Sequence, residues 1–256
     1  MNNYLQKKIY FASDSHLGNR FLENPLEAEK KLVQWLDDIK TDAAAVYFLG
    51  DIFDYWYEYK YVVPRGHVRF LGKLAELADS GIEIHLLIGN HDIWLSDYLH
   101  DEIGAIIHHK PFTVELLGKN FFLGHGDEVG YRPFTYRFIQ SMFRNRFLQV
   151  LYSTIHPRWS FSFARRWSLN NRIKGHKAEN LQLAQARNTK ALEDFARSYL
   201  QTHPDIHFFI FGHLHILIDR ELTPSSRLLI IGDWMQLFSY AVWDGTQLGI
   251  RKVSGP

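Results

Sequence analysis

Five short stretches of this 256-residue chain share one arrangement, in which an apolar run ends in a turn that carries polar side chains. The turns are Asp14-Ser15-His16, Gly50-Asp51-Ile52-Phe53-Asp54, Gly89-Asn90-His91-Asp92, Gly124-His125-Gly126-Asp127 and Gly212-His213-Leu214-His215. A carboxylate at the end of a buried strand is costly unless a positive charge meets it there. These turns are therefore candidates for a cation site.

The candidate metal ligands are Asp14, His16, Asp51, Asn90, His125, His213 and His215. Strand ends converge at one edge of a sheet, so the five turns can deliver these side chains to a single cleft. Seven ligands are too many for one ion and suit two. The chain has no cysteine, which excludes thiolate zinc sites, disulfides and cysteine nucleophiles. Mixed imidazole, carboxylate and amide ligands favour Mn, Fe, Co or Zn over Mg or Ca.

Two divalent ions roughly 3.5–4 Å apart form a device for cleaving phosphate esters, because they hold the reacting oxygens and offset developing charge. Such a pair needs a shared carboxylate, and Asp51 is the predicted bridge. His91 is the predicted proton donor to the leaving oxygen, with Asp92 as its orienting carboxylate. Asp54, Asp127 and Asp233 are expected either to orient a ligand or to cap a turn.

The elements that must position these turns alternate between strand and helix in the first half of the chain. Strands are predicted at Lys8–Ser13, Ala43–Leu49 and Ile82–Ile88, with helices after Asn24-Pro25 and from Val68 to Ala78. This order predicts a parallel βαβ unit. The later elements are a hairpin of Phe112–Leu117 and Phe121–Gly124, a helix Ala178–Leu200, a strand Ile206–Phe211, and an antiparallel half between Ile216 and Val253. We expect two packed sheets with helices outside.

A basic segment at about residues 129–176 interrupts this pattern and is predicted to be an insertion. Tyr131–Lys177 has eight Arg, two Lys and eleven aromatic residues but no Asp or Glu, although the whole chain has a net charge of only +1. Apolar residues at helical spacing predict a helical pair whose apolar face packs on the body; they are Ile139, Phe143, Phe147, Val150 and Leu151. The missing acids indicate an anionic partner, either nucleic acid or an anionic amphiphile.

Neither a secretion signal nor a membrane span is predicted. Met1–Tyr10 is polar and basic without an apolar core. The most apolar run, Phe208–Ile218, is too short to cross a bilayer and contains two histidines. We therefore expect a soluble or peripheral protein.

The five turns, in this order, resemble the motif blocks of the calcineurin-like metallophosphoesterases. The resemblance covers most of the chain outside the insertion and implies a four-layer α/β/β/α sandwich with a helical cap, forming one domain over residues 1–256. It implies Asp14, His16, Asp51 and His215 on one ion, and Asp51, Asn90, His125 and His213 on the other, with Mn²⁺ as the favoured metal. A non-catalytic binding module on the same fold is disfavoured because every expected ligand is present.

Three further features are similar to the UDP-2,3-diacylglucosamine pyrophosphohydrolases of lipid A synthesis: Gly50 to Trp56, the basic helical insertion, and Gly232-Asp233-Trp234. This resemblance implies cleavage of the substrate diphosphate to UMP and 2,3-diacylglucosamine 1-phosphate. It also implies a cytoplasmic protein, peripheral at the inner face of the inner membrane, that contacts an anionic membrane surface and not nucleic acid. The expected substrate contacts are Asn90, Arg166, Arg172, Lys174 and Lys177.

One departure keeps an alternative open. Well-known members of that branch have Arg after the Asn of the third block, whereas this chain has His91. A general metal-dependent phosphodiesterase or nuclease therefore remains the alternative function.

Overall fold

The computed structural model describes residues 7–19, 22–129, 134–161 and 178–253. Its strands are β1 (Lys8–Ala12), β2 (Ala43–Leu49), β3 (Glu83–Leu87), β4 (Ile106–His108), β5 (Phe112–Leu116), β6 (Lys119–Leu123), β7 (Ile206–Phe211), β8 (Leu217–Thr223), β9 (Ser226–Ile231), β10 (Ser239–Trp243) and β11 (Leu248–Lys252). Its helices are α1 (Pro25–Ile39), α2 (Val68–Asp79), α3 (Tyr98–Ile103), α4 (Phe134–Arg144), α5 (Arg146–Ser153) and α6 (Ala178–Leu200). Residues 157–161 are also helical.

The first sheet contains the predicted parallel unit. Its strand order is β11-β10-β1-β2-β3-β4, and β1 to β4 pair in parallel. Helix α1 begins as the sequence predicts, because Pro25 occupies its first turn and the Asn24 side chain accepts a hydrogen bond from the Glu27 N–H. The parallel βαβ prediction is confirmed.

The antiparallel pairing predicted between Ile216 and Val253 is confirmed for β8–β9 and for β10–β11, but these two pairs lie in different sheets. The second sheet is mixed. Its order is β5-β6-β7-β9-β8, and both the β6–β7 and the β7–β9 pairs are parallel. The long crossover that contains α6 makes β7 run parallel to β6. Strands β10 and β11 leave this sheet altogether, because β10 pairs antiparallel with β1 of the first sheet.

Three apolar clusters separate four layers. One lies between the first sheet and α1 and α2, a second lies between the two sheets, and a third lies between the second sheet and α6. Side chains alternate along β1, so that Ile9 and Phe11 face the inter-sheet cluster while Tyr10 and Ala12 face the helices. The predicted α/β/β/α sandwich is confirmed.

The hairpin between β5 and β6 turns one residue earlier than predicted. Leu117 and Gly118 form the turn, with φ of 47° and 78°. Two successive left-handed residues match the twist of a two-residue hairpin, so Lys119 and Asn120 belong to β6 instead of the turn.

In its described part, the cap contains α4 and α5, which meet at Asn145. The Asn145 side chain accepts hydrogen bonds from Phe147 N and Leu148 N at the start of α5. The prediction that the whole apolar stripe of the cap packs on the body is wrong. Phe143 packs against the first core cluster, but Phe147, Val150 and Leu151 are 74%, 59% and 56% exposed. The chain changes direction at Asn145, between α4 and α5. The apolar residues of the two helices therefore cannot all face the same surface. The boundaries of the insertion remain a prediction.

Candidate metal centre

All seven predicted ligands lie just beyond the carboxyl ends of five strands. Asp14 and His16 follow β1, Asp51 follows β2, Asn90 follows β3, His125 follows β6, and His213 and His215 follow β7. Backbone hydrogen bonds join the turns to one another, including Asp14 N to Gly50 O at 3.1 Å, His16 N to Asp51 O at 2.9 Å and Gly212 N to His125 O at 2.9 Å. The structure thus brings together side chains that are up to 201 positions apart in the chain.

The side chains form two ligand groups that a third group connects. Asp14, His16 and His215 form one group, and Asp51, His125 and His213 form another, with ligand atoms in each group within 4.8 Å of one another. The third group, His16, Asp51 and His91, shares one residue with each of them. Asp51 Oδ2 lies 3.6 Å from His16 Nε2 and 3.4 Å from His125 Nε2. Its position between the groups is the one that the bridging prediction requires. The assignment of individual ligands remains a prediction.

The donor set fits divalent cations. Asp14 Oδ1, His16 Nε2, Asn90 Oδ1 and His125 Nε2 are buried without a hydrogen-bond partner. Buried polar atoms of this kind are costly unless something binds them. Burial opposes protonation of His16, yet the carboxylates of Asp14 and Asp54, each 3.7 Å from a ring nitrogen, raise its pKa to about 10. Burial likewise opposes charge on His125, but Asp51 raises its pKa well above the ordinary value. The field of the carboxylates therefore favours positive charge in the cluster.

The ligand turns hold a strained backbone. Five of the predicted ligands have positive φ: Asp14 at 55°, His16 at 41°, Asp51 at 52°, His213 at 67° and His215 at 53°. A left-handed conformation of a non-glycine residue costs of order 1–3 kcal/mol and persists only where the surroundings enforce it. Strain concentrated on these residues is typical of a functional site.

Two glycines are required by the close approach of neighbouring turns. A Cβ on Gly89 would lie 2.2 Å from Asp51 Oδ1 and 2.4 Å from Asp51 N. A Cβ on Gly212 would lie 1.9 Å from Ser13 Oγ and 2.5 Å from Asp14 Oδ2. The glycine before each ligand therefore lets the carboxylate of another turn reach the centre.

A match to a known family agrees with this geometry. Residues 7–217 match the model of the family described as calcineurin-like phosphoesterase. The chain belongs to the calcineurin-like phosphoesterase family. A relative from Porphyromonas gingivalis, named UDP-2,3-diacylglucosamine hydrolase, is 48% identical over 97% of this chain and 98% of its own length. A protein of the same name from Hahella chejuensis is 31% identical over 93% of this chain and 95% of its own length.

Among solved structures, the E. coli phosphoesterase Yfce aligns with a TM-score of 0.44 and 14% identity, over 96% of this chain and 92% of that chain. Membership of the family makes this chain a metal-dependent hydrolase.

The predicted proton donor of this phosphoesterase, His91, stands beside the first ligand group. Its ring packs edge-on against that of His16 at 4.7 Å. Its Nδ1 donates to the backbone oxygen of Asp54 at 3.0 Å, which leaves Nε2 as the nitrogen available for proton transfer. Burial lowers the pKa of His91 despite the opposing effect of Asp51. The neutral ring is therefore favoured.

Asp92 does not have the orienting role predicted for it. Its Oδ1 accepts a hydrogen bond from Gly89 N at 2.6 Å, and its Oδ2 accepts from Ile52 N at 2.7 Å and from Phe53 N at 3.4 Å. Both oxygens are thus used by backbone groups of the second and third turns. Burial, together with Asp51, raises the pKa of Asp92 to about 6. Asp92 joins two ligand turns, whereas the Asp54 carbonyl orients His91.

Asp233 makes both kinds of contact expected of it, because it caps a turn and contacts the predicted ligand His215. Its Oδ1 accepts hydrogen bonds from the backbone N–H groups of Met235, Gln236 and Leu237, and its Oδ2 lies 3.3 Å from His215 Nδ1. A carboxylate that fixes the second nitrogen of a metal-binding histidine sets the ring orientation. The sequence signal was present, because Asp233 also follows the end of a buried strand, β9.

The structure does not extend to most of the predicted substrate contacts. Arg166, Arg172, Lys174 and Lys177 lie outside the described residues, and only Asn90 of that set can be located. Asn90 stands at the centre next to His91, whose backbone N–H donates to Asp51 Oδ1 at 2.8 Å. The four cap contacts remain predictions.

Proposed function

We propose that this phosphoesterase cleaves the diphosphate of UDP-2,3-diacylglucosamine to UMP and 2,3-diacylglucosamine 1-phosphate, a step of lipid A synthesis, with two divalent ions. The observation that carries the proposal is a set of exposed apolar side chains on a basic cap that is attached to the turns of the metal centre. The names of the relatives from Porphyromonas gingivalis and Hahella chejuensis support the same substrate.

The cap exposes the two kinds of side chain that bind an amphiphile, apolar and cationic. Phe134, Phe147 and Trp159 are 79%, 74% and 70% exposed. Exposed arginines lie close to them in sequence, at Arg146 and Arg158. Apolar side chains suit acyl chains, and guanidinium groups suit phosphates.

The cap is fastened to the loops that leave the second and third ligand turns. Tyr57 Oη donates to Gln149 O at 2.8 Å, and Trp94 Nε1 donates to Phe143 O at 2.9 Å. Tyr55 Oη and Tyr152 Oη are 3.1 Å apart. These contacts would hold the lipid part of a substrate at a fixed position relative to the scissile phosphates.

When bound, the two ions supply Lewis-acid stabilisation of the phosphoryl oxygens and lower the pKa of a coordinated water. We assign Asp51 as the shared ligand and favour Mn²⁺ for this mixed ligand set. His91 would deliver a proton from Nε2 to the leaving oxygen, once the negative phosphates of the substrate raise its pKa. Its Nδ1 bond to the Asp54 carbonyl keeps the ring in place during that transfer.

No helix in the described part of the chain is long and apolar enough to cross a membrane. We propose that the protein lies in the cytoplasm and reaches its substrate at the inner face of the inner membrane, where the exposed apolar and basic side chains of the cap contact anionic lipid. Such binding to anionic vesicles weakens as salt is added, because the charge contribution is screened.

The test compares hydrolysis of UDP-2,3-diacylglucosamine with that of UDP-glucosamine. Each buried methylene is worth about 0.8 kcal/mol, so burying five methylenes favours the acylated substrate about a thousandfold. Phe147→Ala should reduce this preference. The control is Leu117→Ala, which also removes an exposed apolar side chain but lies before the amino end of β6, at the opposite end of that strand from His125.

Equal rates on the two substrates would contradict the lipid proposal. Efficient cleavage of single-stranded DNA or nucleotide diesters, with no preference for acyl chains, would identify a general phosphodiesterase or nuclease instead.

A further inference from the structure

Helix α4 of the cap has an inverted burial pattern. Among its described side chains, only Gln140 is fully buried, at 7% exposed. Phe134, Phe138 and Met142 on the same helix are 79%, 57% and 43% exposed. An amphipathic helix ordinarily buries its apolar residues and exposes its amides. The burial of Gln140 therefore calls for a specific partner.

That partner is Asp127, which is itself 4% exposed. Gln140 Nε2 donates a hydrogen bond to Asp127 Oδ2. A buried carboxylate and a buried amide are both costly to leave unpaired, so this bond favours one position of α4 on the body. The neighbouring Phe143 is only partly buried, so Gln140 is the most deeply buried of the described side chains of this helix.

Asp127 belongs to the fourth ligand turn, two residues after His125. The same turn is held by Gly126 N, which donates to Glu128 Oε2 at 3.2 Å, and by the bond from Gly212 N to His125 O at 2.9 Å. Gln140 is thus attached to a turn that carries a predicted metal ligand, His125. The other described hydrogen bonds between the cap and the body, from Tyr55, Tyr57, Tyr59 and Trp94, reach the loops that follow the second and third turns.

We propose that Gln140 is a positioning residue that couples the cap to the metal centre through Asp127. Ordering of the fourth turn by metal would fix α4, and by reciprocity the seated helix would favour the metal-binding conformation of that turn. The Gln140–Asp127 pair sets the distance between the apolar cap surface and the ions. Neither side chain contacts the reacting atoms. The effect of the pair on substrate choice rests on the proposed function, whereas the coupling itself does not.

Hydrogen exchange tests the coupling without any substrate. In the full-length wild type, adding Mn²⁺ should slow exchange of the α4 amides by about tenfold or more, because their opening then requires release of an ordered turn. Gln140→Leu should remove this protection. The matched control is Gln149→Leu, because Gln149 Nε2 donates to Phe143 O at 2.8 Å, a bond within the cap. It should keep the protection.

Gln140→Asn serves as a second variant that retains the amide but is one methylene too short to keep the bond, should the leucine variant fail to fold. Unchanged metal-dependent protection of α4 in the Gln140 variants, or its absence from the wild type, would overturn the proposal.

Kinetics then test the positioning role. Gln140→Leu should lower kcat/KM for UDP-2,3-diacylglucosamine by about 10–100-fold, the scale of a small misplacement of substrate. Hydrolysis of bis(p-nitrophenyl) phosphate, which is too small to span the cap, should stay within about threefold of wild type. Equal losses on both substrates would mean that Gln140 merely supports the turn, and would overturn the positioning role. If wild type does not cleave UDP-2,3-diacylglucosamine, the proposed function fails while the exchange result still decides the coupling.

Discussion

Replacing Asp92 by Asn would test the role that the structure gives to this carboxylate. Its two oxygens accept hydrogen bonds from three backbone N–H groups in two different ligand turns. Asp92→Asn keeps the size of the side chain but replaces one oxygen by an NH₂ group. In either orientation of the amide, that NH₂ faces a backbone donor at Gly89 or Ile52. The substitution therefore removes one strong hydrogen bond. It also places two donors, the new NH₂ group and a backbone N–H group, opposite each other without an acceptor.

The size of the effect follows from the bond lengths. Hydrogen bonds to a charged group contribute about 1.5–3 kcal/mol each, and a buried donor left unpaired costs about 1–3 kcal/mol. The bonds of 2.6 and 2.7 Å are well formed, whereas that from Phe53 N at 3.4 Å is weak. We expect a loss of about 2–4 kcal/mol in the free energy of unfolding, which lowers Tm by roughly 5–15 °C for a chain of this length.

The assay combines thermal unfolding with metal titration. The second turn carries Asp51 and the third carries Asn90, so Asp92→Asn should also weaken binding of Mn²⁺. Asp97→Asn is the matched control, because the Asp97 side chain is exposed and makes no capping hydrogen bond to α3. It should leave both Tm and metal affinity unchanged.

A different outcome would refute this reasoning. If Asp92→Asn unfolds at the wild-type Tm, binds both ions, and loses rate only with poor leaving groups, then Asp92 acts through His91. The role originally predicted from the sequence would then be right.

Three further predictions concern the centre and a histidine pair outside it. Asp51→Ala should abolish turnover and metal loading together, since two cations then repel each other without a shared anion; full binding of both ions by the variant would contradict the bridge. His91→Ala should lower the rate by about 10²–10⁴ with both ions retained, and a leaving group of low pKa should recover much of the loss. Equal losses with good and poor leaving groups would exclude the proton-donor role. Burial, together with His85 and His109, lowers the pKa of His108 from 6.5 to about 4. The stabilisation from its neutral ring is therefore fully present above pH 6.5. As the pH falls toward 4, the free energy of unfolding should decrease by about 1–2 kcal/mol, a value discounted for the partial exposure of the ring. His108→Gln should flatten this part of the stability profile, and an unchanged profile would show that other groups cause it.

The sequence by itself determined the local parts of this protein. The cap of α1 at Asn24 and the strand Ala43–Leu49 appear at their predicted positions, because capping chemistry and apolar runs act over a few residues. The seven candidate ligands were also identifiable, since Asp and His at the end of a buried strand need a cation or a partner. Within each sheet, convergence follows from the rule that parallel strands present their carboxyl ends at one edge. The ligands come from β1, β2 and β3 of the first sheet and from β6 and β7 of the second, so only the packing of the two sheets brings the two sets together.

Only the tertiary structure decided which groups meet. The hydrogen bond from Ile52 N to Asp92 joins residues 40 positions apart. Because of this contact, Asp92 links two turns instead of orienting His91 as predicted. The exposure of Phe147 and the burial of Gln140 reverse what their residue types favour. Periodicity specifies which residues share a helix face, but the partner of that face depends on how distant segments pack. A hydrogen bond across 13 residues, from Gln140 to Asp127, exists only once the turn after β6 and helix α4 have both been placed.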